Sequence, residues 1–200
     1  MSTLLQINAS LFSDHGQSSR LADRFVARWQ AQHPDGRVVR RDLATDPVPH
    51  LDGARFGAFL AKPDERSAEQ KAVADYSDAL IAELKQADVL VVGLPLYNFG
   101  VPSQLKAWID HVARAGHTFK YTEKGPVGLL STPRAYVFAT RGGYYKDTPI
   151  DTQTSYVRDV LRFLGVAEVE FVYAEGLALG EDSKQAAISQ ANAVVDRIAA

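Results

Sequence analysis

Three short stretches of this 200-residue chain carry residue types suited to holding a ligand. The first runs from Ala9 to Arg20 and supplies hydroxyls at Ser10, Ser18 and Ser19, a flexible Gly16 and the amide of Gln17. It leads into a helix, whose first N–H groups and positive dipole end attract an anion. Hydroxyls donate to that anion without needing a counter-charge. As plain helix caps, Ser18 and Ser19 would need no ligand, and the loop alone fits either role. The second stretch is Pro95-Leu96-Tyr97-Asn98-Phe99-Gly100-Val101-Pro102-Ser103. Two prolines and a glycine stiffen its path. Its aromatics offer a wall for a planar ring, and its N–H groups can meet ring nitrogens and carbonyls. The third is Thr140-Arg141-Gly142-Gly143-Tyr144-Tyr145, where paired glycines allow close backbone approach. Plain turns remain the alternative for the second and third. The first loop has no lysine and no Walker spacing, and no G-x-G-x-x-G follows it, which disfavours nucleoside triphosphates and dinucleotides. A monophosphate fits.

These stretches need elements to hold them. Leu4–Ile7, Val89–Val92 and Ala135–Ala139 are apolar almost throughout, as strands buried on both faces are. Arg37–Arg41 and Val169–Tyr173 are more mixed and read as wetter edge strands. Helical stripes lie between: Leu21, Phe25 and Trp29; a capping box at Ser67 and Gln70 with Val73, Tyr76, Leu80 and Leu84; Leu105, Ile109 and Val112 after a Ser103 cap; Tyr156 to Leu164 after an Asp151 cap; and Ile188 to Ile198. Strand and helix alternate five times. That predicts an α/β protein, a flavodoxin-like three-layer sandwich with a five-stranded parallel sheet of order 2-1-3-4-5, in one domain spanning residues 1–200. Asp46–Arg66 and His117–Thr132 exceed the minimal fold and read as excursions above the sheet or at a subunit contact. In such a sheet a ligand sits beyond the strand carboxyl ends where the order reverses, between the first and third strands. The three stretches follow the first, third and fourth strands. Together they describe a phosphate at one end and a flat heteroaromatic at the other, the outline of FMN.

Composition narrows the class. A net charge of −2 offers neither a basic footprint for nucleic acid nor the acidic surface of an electron carrier. The absence of cysteine removes disulfides and thiol catalysis. No signal peptide or membrane-spanning run is legible, so a soluble cytoplasmic protein is expected. The five histidines show no metal-ligand spacing and read as surface or structural. Arg37, Arg40 and Arg41 read as a solvated edge.

Several motifs carry a family resemblance: the strand with Ser10, Gly16-Gln17-Ser18, Pro95 to Phe99, Gln104-Leu105-Lys106, Phe119-Lys120-Tyr121-Thr122-Glu123-Lys124-Gly125-Pro126, and Arg141-Gly142-Gly143. Through them the chain resembles, essentially end to end, the FMN-dependent NADH-azoreductases, a branch of the flavodoxin-like quinone reductases. Leu96 stands where many of these have methionine, and His15 and Gly16 replace bulkier or hydroxyl residues of some. The resemblance implies bound FMN, with NADH or NADPH as donor and quinones and azo compounds as acceptors. It implies ping-pong hydride transfer through flavin N5. It also implies a homodimer in which the partner subunit completes each pocket. By position, Ser10, Gln17 and Ser18 would hold the phosphate, with Gly16 supplying backbone. Leu96, Tyr97, Asn98 and Phe99 would lie along the ring near N5 and O4. Thr140, Arg141, Gly142 and Gly143 would line its N1–O2 edge, where the glycine N–H groups would stabilise charge. Phe119, Tyr121, Tyr144 and Tyr145 would form an acceptor chamber or pack at the dimer contact. The rivals are a flavodoxin-type electron carrier and a receiver-like binding module; the latter would need an acidic cluster that the Asn8-Ala9-Ser10 strand end lacks.

Overall fold

The structure is a computed structural model and describes residues 2–199. In chain order its elements are β1 (Thr3–Asn8), α1 (Gln17–Gln32), β2 (Arg37–Asp42), α2 (Gly53–Leu60), α3 (Ala68–Gln86), β3 (Val89–Pro95), α4 (Ser103–Val112), β4 (Phe119–Thr122), β5 (Gly125–Gly128), β6 (Arg134–Thr140), α5 (Thr152–Leu164), β7 (Glu168–Ala174) and α6 (Glu181–Ile198). Five strands pair in parallel in the order β2-β1-β3-β6-β7, and β4 and β5 form a separate antiparallel pair. Counting only the strands of the main sheet, this is the expected 2-1-3-4-5.

Each apolar run feeds both faces of the sheet, because successive side chains point to opposite sides. Leu5, Ile7, Leu90, Val92 and Val137 pack under α3, α4 and α5 with Leu80, Leu84, Trp108 and Leu161. Leu4, Val91, Tyr136 and Phe138 face α1 and α6, where Leu21, Phe25, Trp29 and Val195 cover them. The edge positions of β2 and β7 explain their mixed composition.

The capping box closes as expected, with Ser67 Oγ accepting from Gln70 N–H and Gln70 Oε1 accepting from Ser67 N–H. Asp151 Oδ1 accepts from Thr154 N–H at 3.1 Å and caps α5. Ser103 is not a cap: Pro102 takes that position, and Ser103 lies one residue inside α4 with its hydroxyl bonded to Gln104 Oε1 at 3.3 Å. Nor are the β2 arginines all solvated. Arg41 lies against α3, bridged to Glu83 at 2.8 Å and Asp46 at 2.7 Å, whereas Arg37 and Arg40 are exposed. The first excursion contains α2, and the second contains the β4–β5 hairpin. No helix among the described residues is long and apolar enough to cross a membrane.

Candidate functional site

The carboxyl ends of β1, β3 and β6 open into a cleft of about 190 Å³. Ser10, Phe12, Gly16, Gln17 and Ser18 line one side, Pro95, Leu96 and Tyr97 another, and Thr140, Arg141, Gly142 and Leu177 a third. A roomier hollow of about 550 Å³ lies beside Trp29, Asp88, Arg134 and Glu168, at the opposite ends of the strands. It has none of the unpaired backbone donors that converge on the smaller cleft, so the smaller cleft is the candidate site.

The anion end is built by the start of α1. Its cap residue is Gly16, which offers no side-chain acceptor, and its first turn holds no acidic residue. The N–H groups of Gln17, Ser18 and Ser19 donate to no group among the described residues. The hydroxyls of Ser18 and Ser19 are fully buried and equally without partners. A helix start with unsatisfied donors and no anion of its own is built for an external one. Gly16 is required by close approach, because a Cβ there would lie 2.1 Å from Ser10 Oγ. Ser10 itself is buried and accepts from Phe12 N–H at 3.2 Å. The bare-cap reading of the serines fails here, since neither hydroxyl caps the helix.

The wall is a two-residue turn. Tyr97 and Gly100 exchange N–H···O bonds of 3.3 and 2.9 Å around Asn98 and Phe99. Both central residues are left-handed, with φ of 49° and 62°. Such turns favour Asn-Gly, so Phe99 costs about 1 to 3 kcal/mol in backbone strain. The turn leaves the Asn98 and Phe99 N–H groups without an internal partner. Phe99 stands half exposed, edge-on to Tyr145 at 5.5 Å. The Tyr97 hydroxyl accepts from Leu11 N–H at 3.3 Å and ties this turn to the first loop.

The third side is the loop after β6. Gly142 and Gly143 accept through their carbonyls from Ala178 and Gly176, while their own N–H groups have no partner among the described residues. A Cβ on Gly143 would meet the Tyr145 ring at 2.8 Å. Arg141 contributes backbone only. Its guanidinium is fully buried away from solvent, bonded to Asp151 at 2.8 Å, Thr154 at 2.8 Å and Glu175 at 3.3 Å. Burial pushes the Asp151 carboxyl up, but hydrogen bonds from Arg141 and Thr154 outweigh it and hold the group below its ordinary value.

The cleft thus brings together Ser10, Gly16, Gln17, Ser18, Leu96, Tyr97, Thr140, Arg141 and Gly142, with Asn98, Phe99 and Gly143 on the adjoining turns. The four aromatic chamber residues are not gathered within one chain. Phe119 is buried against Phe163 at 4.4 Å and lines a separate hollow of about 420 Å³ with Phe56, Phe59, Leu60 and Tyr121. Tyr144 bonds Ser183 at 3.1 Å near α6, and Tyr145 stays beside Phe99. Sequence reasoning missed Phe12 and Leu177 as lining residues. Phe12 was legible as an apolar residue inside the anion loop. Leu177 follows the edge strand β7, whose loop carries no chemical signature.

The three donor sets fit a phosphate-bearing flat heterocycle: unpaired N–H groups and buried hydroxyls at one end, N–H groups along two edges at the other. A profile of the flavodoxin-like fold family matches residues 2–198. An FMN-dependent NADH:quinone oxidoreductase of Cellvibrio japonicus is 54% identical over 200 residues, covering all of both chains. One of Alcanivorax borkumensis is 53% identical over 188 residues, 94% of this chain and 95% of that protein. The solved FMN-dependent NADH-azoreductase of Bacillus anthracis, in complex with FMN, superposes with a TM-score of 0.88 at 28% identity over the whole of both chains. With these donor loops at the switch point of a 2-1-3-4-5 sheet, the chain belongs to the flavodoxin-like family.

Proposed function

We propose that this chain is an FMN-dependent NADH:quinone oxidoreductase that also reduces azo compounds. The observation that carries this is that three sets of backbone donors without partners among the described residues stand at or beside one cleft: the helix start 17–19 and Gly142 line it, and the turn 98–99 and Gly143 adjoin it. Their order matches a phosphate, then the two polar edges of an isoalloxazine. Relatives near 50% identity that match 94–100% of this chain bear that enzyme's name.

FMN, when bound, would supply hydride-transfer chemistry between NADH and the acceptor. The chain's residues bind, orient and polarise. The start of α1 with Ser10 and Ser18 holds the phosphate. The rigid Tyr97–Gly100 turn seats one edge of the ring. The Gly142 and Gly143 N–H groups stabilise negative charge as it develops on the other edge, as preorganised donors do in an oxyanion hole. No side chain is required as a nucleophile. Donor and acceptor would enter the same open cleft in turn, and the acceptor's further proton would come from water or a nearby hydroxyl.

One chain leaves two apolar surfaces uncovered. Leu11, Phe12 and Phe99 stand exposed on the loops around the cleft, and Phe56, Leu60 and Tyr121 around the second hollow. Apolar patches of this kind mark contact sites, and two different ones on a chain can meet reciprocally about a two-fold axis. We take the protein as a cytoplasmic homodimer of single-domain chains, in which the partner's hairpin brings its aromatics to the cleft and completes the acceptor chamber. Sedimentation should give a dimer, and Leu60→Glu should yield monomers with little turnover. Steady-state NADH oxidation with a quinone should give parallel double-reciprocal lines. A flavodoxin-type carrier would oxidise almost no NADH by itself.

A further inference from the structure

The turn 97–100 and the loop 142–146 carry the two donor sets that would meet one planar ring. They leave the sheet side by side, where Leu96 N–H donates to the Thr140 carbonyl at 2.9 Å, and then diverge. The first residues of α5 join them again. The Thr152 hydroxyl donates to the Phe99 carbonyl. The Gln153 amide donates to the Pro95 carbonyl at 2.9 Å and the Gly100 carbonyl at 3.2 Å, so it ties the end of β3 to the last residue of the turn. Beside them, Asp151 receives the Arg141 guanidinium at 2.8 Å. Arg141 reaches onward to Glu175, whose Oε1 also accepts the N–H groups of Tyr145 and Lys146 at 2.8 Å each.

This chain of bonds does more than capping requires. Asp151 alone caps α5. Gln153 is almost fully buried, yet its amide N–H groups reach two carbonyls of another loop while its own Oε1 lacks a partner. Arg141 is fully buried and leaves Nε unpaired. Buried side chains that bond backbone groups distant in sequence hold those loops in a fixed relation.

We infer that Gln153 and Arg141 are positioning residues: a buried brace at the start of α5 fixes the spacing between the Asn98–Phe99 donors and the Gly142–Gly143 donors. Neither side chain needs to touch the ligand. Preorganised donors act on developing charge only if they do not relax, and the brace prevents relaxation on both edges through one helix start.

The role assigned to the brace rests on the flavin reading of the site, so the deciding measurement is made first on flavin-free protein. Amide hydrogen exchange is compared in the wild type, in Gln153→Leu and in Thr152→Val; the last changes an exposed residue and serves if the first does not fold. In Gln153→Leu, exchange should rise about tenfold at the hydrogen-bonded amides of Tyr97 and Gly100 and also at those of Tyr145 and Lys146, with the amides of β1 and β7 unchanged. Thr152→Val should give the same pattern more weakly. With FMN bound, the midpoint potential of the flavin in Gln153→Leu should move to more negative values, because the N1–O2 edge loses fixed donors. Exchange that rises only in residues 97–100, rises uniformly through the sheet, or does not rise would overturn the brace. An unchanged potential would overturn its role toward the ring. The expected exchange pattern in a protein that takes up no FMN would support the brace and refute the flavin reading alone.

Discussion

Ser18 is the residue whose environment says most. Its hydroxyl is fully buried with no protein partner, an arrangement that costs about 1 to 3 kcal/mol until something satisfies it. A phosphate would satisfy it through a charge-assisted bond. Ser18→Ala should therefore leave the flavin-free melting temperature unchanged or slightly raised. It should weaken FMN binding about tenfold or more in calorimetric titration, and leave riboflavin binding unaffected. A second test concerns the N–H of Gly143. Gly143→Pro deletes this donor, and Gly143→Ala keeps it while meeting the same Tyr145 ring. The proline variant should bind FMN more weakly, or be reduced by NADH more slowly, than the alanine variant. Equal behaviour of the two would remove this N–H from the account.

At the scale of elements, the β4–β5 hairpin is the part whose role depends most on context. Phe119 is buried on Phe163, so Phe119→Ala should cost about 3 to 5 kcal/mol of stability and obscure any change in acceptor preference. Tyr121 is 75% exposed, so Tyr121→Ala should cost under about 0.5 kcal/mol. It should alter the ratio of kcat/KM between small quinones and bulky azo acceptors while leaving FMN affinity intact. The hairpin also marks the limit of what the chain discloses in one dimension. Strands β1, β3 and β6 were legible because burial on both faces demands unbroken apolar runs, and β2 and β7 because edges tolerate charge. Ser67 and Asp151 were legible as caps because capping is local. The Phe119, Tyr121, Tyr144 and Tyr145 set read as an acceptor chamber or a dimer contact, and which aromatics meet is decided by tertiary packing and by surfaces that one chain leaves open. Gln153 and Glu175 carried no signal. Each acts on backbone groups distant in sequence, Gln153 on Pro95 and Gly100 and Glu175 on Tyr145 and Lys146. Arg141 read as a lining residue, and the structure confines that to its backbone.

At the scale of the whole molecule, the faces of the sheet have different tasks. The α1 face presents the anion site, while α3 and α4 bury a polar knot beneath α2. There His111 is fully buried, its Nδ1 bonded to the Ala107 carbonyl at 3.0 Å and its ring edge-on to Phe59 and Tyr76. Burial lowers its pKa below the ordinary value; Arg55 and Arg114 push the same way, against the Ala107 carbonyl and Asp110. The unfolded chain then takes up a proton at higher pH than the folded one. The contribution to stability is complete above about pH 6.5 and is lost as pH falls from there through the lowered folded value. His111→Gln should flatten the loss of melting temperature between about pH 7.5 and 5.5 relative to wild type. The cleft at the ends of β1, β3 and β6 would hold a flavin mononucleotide serving NADH and a quinone in turn, and an anaerobic visible spectrum of the purified protein tests this most directly. Yellow absorbance that bleaches on adding NADH and returns on adding a quinone, with FMN as the flavin released on denaturation, is the predicted result. A colourless protein that takes up no added FMN, or a bound flavin that NADH leaves oxidised, would contradict it.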